Sequence, residues 1–73
     1  MTGTLLSADD PRIEALQIDW ELGGYTDFPH PRSVWLGRVE AVLRELHPTA
    51  NSESLTLTAR TLAPFPLQLP GVP

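Results

Sequence analysis

Seventy-three residues make one domain, and a chain of this size buries only about 60% of its unfolded surface, so its own core is small. There is no cysteine to staple it, the apolar fraction of 41% argues against wholesale disorder, and a net charge of −4 works against general binding to nucleic acid. All five cations are arginine, which points to a GC-rich bacterial or phage genome, and the lack of cysteine fits a cytoplasmic or virion protein.

The first ten residues, MTGTLLSADD, lack the charged and long apolar regions of a secretory signal. No apolar run in the chain approaches the ~18–20 residues of a membrane span. Thr2–Leu6 leans apolar and reads as a candidate edge strand. Asp10 followed by Pro11 is a helix start, with a carboxylate at the N-cap and a proline at N1, where its missing N–H is no loss. Gly23-Gly24 is a matching stop. Between them, Leu16–Leu22 (LQIDWEL) alternates apolar and polar without a fault, which is the period of a half-buried strand. Wound as a helix, the same residues place Ile13, Leu16 and Trp20 on one side and Ala15, Ile18 and Leu22 on the other. A hairpin across Gly23-Gly24 would set Ile18 opposite Pro29, which cannot donate to a ladder. A helix over Asp10–Leu22 is therefore preferred, with a strand at 16–22 as the alternative.

Residues 24–32 (GYTDFPHPR) read as a loop, because Pro29 and Pro31 each hold the residue before them extended. Ser33–Leu46 is the clearest helix, opened by Pro31 or Ser33, with Trp35, Val39, Val42, Leu43 and Leu46 on one stripe and Pro48 as its stop. His47 at its end complements the helix dipole. The polar connector HPTANSES follows. From Ser54 to Leu62 the chain alternates again, Leu55, Leu57 and Ala59 against Thr56, Thr58 and Arg60, and threonine at the outward positions predicts a C-terminal strand. Residues 63–73 carry Pro64, Pro66, Pro70 and Pro73, so an extended tail near polyproline II is expected. The expected fold is a small α+β domain over residues 1–62, with two helices, one strand and that tail.

No stretch carries recognisable chemistry. His30 and His47 lie seventeen positions apart, each before a proline, and Asp27 is the carboxylate nearest His30; metal sites show closer spacing. The serines lack a nucleophile elbow, and Asp9-Asp10 fits a helix cap better than an acid–base pair. Gly23-Gly24 has neither the spacing nor the lysine of a phosphate loop. Two helices joined through glycines have the outline of a helix-turn-helix, but the connector is too long and proline-broken, and the second helix mixes arginine with glutamate.

The residues that do stand out are apolar. Ile18, Trp20, Leu22 and Tyr25, together with Phe65, Leu67 and Leu69 of the tail, exceed what so small a domain can cover and are the candidate partner-binding residues. The expected function is non-enzymatic: a protein-binding or assembly subunit, such as an accessory factor, inhibitor or virion component, working through a protein partner or self-association. The alternatives are a small nucleic-acid-binding regulator or antitoxin, and a subunit contributing to an enzyme complex. No cofactor, catalytic residue, metal or membrane association is expected. Elemental analysis of protein purified without added metal should accordingly find no stoichiometric zinc or iron; one ion per chain would contradict this reading.

Overall fold

The computed structural model describes residues 4–66. Within them lie three helices, α1 (Pro11–Glu21), α2 (Pro31–Leu46) and α3 (Ser52–Leu62), and no strand among the described residues. The fold is a small helical domain, not α+β.

Helix α1 settles the ambiguity of LQIDWEL. The Asp10 carboxylate caps it by accepting from the Arg12 N–H at 2.8 Å, with Pro11 at N1. At the other end Gly24 N donates to the Asp19 carbonyl (2.9 Å) and Gly23 N to that of Trp20 (3.0 Å), a Schellman closure. Gly23 sits at φ +82°, and a Cβ on Gly24 would stand 3.1 Å from the Asp19 carbonyl oxygen. Both glycines are therefore consumed in ending the helix, and the alternative strand over 16–22 is overturned. Helix α2 opens two residues before Ser33, because Pro31 takes N1 with its φ already helical.

Helix α3 overturns the expected strand at 54–62. Asn51 caps it, its side-chain oxygen accepting from Ser54 N at 2.8 Å. The buried face is Ser54, Leu55, Thr58 and Ala59, a helical spacing, whereas Leu57 is 39% exposed. Alternation failed as a guide here because Thr58, which is polar, points inward and Leu57, which is apolar, points outward. The connector thus contains the helix's own start signal, and only residues 47–51 separate α2 from α3.

Two buried hydroxyls explain why polar residues face inward. Thr4 N donates to Ser54 Oγ (3.0 Å) and Leu6 N to Thr58 Oγ1 (2.9 Å). Two residues of extended chain advance about 6.6 Å and four residues of helix about 6 Å, so alternate amides of the one meet hydroxyls one turn apart on the other. The candidate edge strand at Thr2–Leu6 is thus, over its described part, a segment bound to a helix; no partner strand is present among the described residues. His47 Nε2 reaches the Ser7 carbonyl at 2.7 Å and holds the same segment further along.

Helix α2 is the central element and packs against both α1 and α3. Its inward residues Trp35, Val39 and Leu43 are fully buried, and with Ile13, Tyr25, Leu55, Ala59 and Phe65 they form the core. Gln17 Nε2 donates to the Leu62 carbonyl at 2.8 Å and ties α1 to the end of α3. The packed unit therefore runs past Leu62 to Phe65.

Replacing Thr58 by valine keeps the shape and removes the acceptor, leaving the Leu6 amide unpaired. Urea denaturation should show a loss of about 1–3 kcal/mol, with faster hydrogen exchange at Leu6. An unchanged midpoint would show that the hydroxyl does not hold the segment.

Candidate docking surface

The seven apolar residues singled out by sequence separate into four groups. Tyr25 and Phe65 are buried, at 3% and 8% exposure. Trp20 is half-buried between them, its ring 4.4 Å from that of Phe65 and 5.7 Å from that of Tyr25. Ile18 and Leu22 face solvent, 46% and 79% exposed. Leu67 and Leu69 lie outside the described residues.

The first group continues the core. Phe65 meets the Trp35 ring edge-on at 5.4 Å, and Tyr25 leads to Phe28 at 5.7 Å. Two arginines close the outer side of this row. The Arg38 guanidinium lies 5.3 Å from the Tyr25 ring centre and 5.4 Å from that of Phe28, and donates to the Tyr25 hydroxyl at 3.2 Å; Arg32 lies 5.6 Å from the Phe65 ring centre. Guanidinium faces stack on aromatic rings while their edges keep hydrogen bonds to water. Sequence reasoning missed this arrangement, since nothing in linear spacing pairs Arg38 with a tyrosine thirteen residues earlier.

Ile18 and Leu22 belong to a stripe. At about 100° per residue, Pro11, Ala15 and Ile18 of α1 and Leu22, its C-cap, fall within about 60° of one another, and all four are exposed. The opposite face, with Ile13, Leu16 and Trp20, packs on α2 and Phe65. Glu14 and Glu21 border one edge of the stripe, and Arg12 and Asp19 the other. Arg12 is already engaged: its guanidinium meets Asp10 at 3.1 Å and Glu45 at 3.0 Å. Its hydrogen bonds hold the Asp10 carboxyl below the ordinary carboxylate range, and the same contacts raise the Arg12 pKa. The carboxylate that caps α1 is thus the one that Arg12 holds.

Concave features are modest. A notch of about 190 Å³ beside Trp20, Gly23, Tyr25, Thr26 and Pro31 is smaller than the roughly 300–1,000 Å³ of typical ligand pockets. Depressions of about 340 Å³ around Leu57 and about 440 Å³ beside Asp9, Asp10 and Glu14 are open to solvent rather than enclosed. Among the described residues no group of three or more His, Asp or Glu is placed to hold a metal ion, and His30 and His47 sit at opposite ends of α2. No helix among the described residues is long and apolar enough to cross a membrane. Comparisons with protein-family models, characterised proteins and solved structures gave no match.

Phe65→Ala should lower stability by about 3–5 kcal/mol, because the ring fills space between Trp20 and Trp35 that small residues cannot collapse into. Truncation after Leu62 should do at least as much damage. Chemical denaturation measures both, and a truncated chain with wild-type stability would mean that Phe65 contributes nothing to the core.

Proposed function

We propose that this chain is a non-enzymatic protein-binding or assembly subunit, and that the outward face of α1 is where it docks. One observation carries the reading: a helix whose inner face is fully used by the core also holds Ile18 and Leu22 in water, one turn apart, on its outer face. Single exposed apolar residues are ordinary, but an aligned set on a rigid helix has the form of a helix-in-groove or helix-on-helix contact. Covering what remains exposed of the two side chains against a partner would recover about 25 cal/mol for each Å² of apolar surface removed from water. The nucleic-acid reading has no comparable support. On α3, Glu53 accompanies Arg60 across the exposed face, and the chain as a whole is acidic. A cytoplasmic or virion location belongs to this reading and rests on the absence of cysteine.

Two substitutions separate docking from folding. Ile18→Asp should leave the circular dichroism melt near that of the wild type while removing an association seen by light scattering or by quantitative affinity capture. Trp20→Ala, which opens a gap against Phe65, should chiefly lower the melting temperature. If Ile18→Asp unfolds the protein as Trp20→Ala does, or leaves every association unchanged, the docking role of α1 is refuted.

A further inference from the structure

We infer that the occupant of the α1 outer face is an amphipathic helix of another protein whose apolar seam is flanked by lysine or arginine, rather than a second copy of this chain. The inference rests on the docking role proposed above and adds the chemistry of the partner. The stripe Pro11, Ala15, Ile18, Leu22 steps by four, three and four residues, the a/d spacing with which one helix packs along another. At 1.5 Å per residue it runs for about 16 Å, three turns. Residues that border such a seam set the choice of partner through their charges. Here one border is Glu14 and Glu21, both exposed, and the other holds Asp19 and, two turns before it, Arg12. Arg12 gives its guanidinium to Asp10 and Glu45. The seam is therefore apolar with acidic margins.

Those margins select against self-pairing. Two antiparallel copies would set the Glu14–Glu21 border against itself. Two parallel copies would set it against the border holding Asp19, whose one cation is already bonded elsewhere. The arginines that could relieve this are committed or remote: Arg32 and Arg38 stack on Phe65, Tyr25 and Phe28, and Arg44 and Arg60 are carried by α2 and α3. A facing helix with basic margins satisfies both borders at once and covers Ile18 and Leu22.

The probe is a three-heptad peptide with leucine at a and d and lysine at e and g, whose own charges oppose its self-association. A glutamate-flanked version and a scrambled lysine peptide of equal composition serve as controls. Binding is read by anisotropy of the labelled peptide, and the fold of every variant by circular dichroism. Saturable binding of the lysine peptide is expected, at least ~10-fold tighter than either control. Ile18→Asp should weaken it by a similar factor. The double variant Glu14→Lys/Glu21→Lys should weaken it as well and shift preference toward the glutamate peptide. Equal binding of the three peptides, or no binding, overturns the inference. A wild-type dimer that Ile18→Asp disperses overturns it too, in favour of a second copy, while leaving the docking role of α1 intact. Indifference to Ile18→Asp in every assay removes both.

Discussion

The indole N–H of Trp35, in the second turn of α2, is cut off from water and donates to the Leu16 carbonyl of α1 at 2.8 Å. A buried donor without an acceptor costs about 1–3 kcal/mol, so the bond fixes how α1 lies across α2 as firmly as apolar contact does. The consequences spread from there. With Leu16 directed at Trp35, Trp20 one turn on comes against Phe65, and the same ring of Phe65 closes the edge of Trp35. The opposite side of α1 is left facing water, because a helix fixed in rotation by one hydrogen bond cannot turn to bury a second apolar face. The exposed stripe thus follows from the core's geometry.

Much of this was legible in the chain where signals are local and redundant. Asp10-Pro11 and Gly23-Gly24 bracket α1, and Pro31 and Pro48 bracket α2, each through a backbone property that tertiary context does not override. What misled was period. Leu55, Leu57 and Ala59 alternate with threonines, and in a short segment the strand and helix periods share several positions. The deciding residues were Ser54 and Thr58, whose polarity hid the inward face, and Asn51, a cap lost among other polar residues of a connector. Their inward placement makes sense only once the Thr4 and Leu6 amides are in view, some fifty residues earlier in the chain.

The candidate surface was partly legible for the same reason. The two-sided distribution of apolar residues on α1 can be drawn from sequence as soon as helix is chosen over strand. Which side faces inward cannot, since Ile18 and Trp20 are comparable candidates for burial. Trp20, Tyr25 and Phe65 turned inward because aromatic rings recruit one another and the flanking arginines. The aliphatic pair Ile18 and Leu22 has no such partners among the described residues.

The position of Phe65 has a further bearing on how the protein comes into being. The core contains Ile13 and Phe65, and the amides of Thr4 and Leu6 find acceptors only on α3. Helices α1 and α2 precede in sequence both the hydroxyls of α3 and the ring of Phe65 that meet them. Until Phe65 is in place, both tryptophans lack a neighbour, and a partly folded chain exposes more apolar surface than the folded one. Its contacts of long sequence separation must also be closed last, against the entropy of the loop between them. Completion of the fold therefore waits on joining segments some fifty residues apart, the Thr4 and Leu6 amides with the hydroxyls of α3.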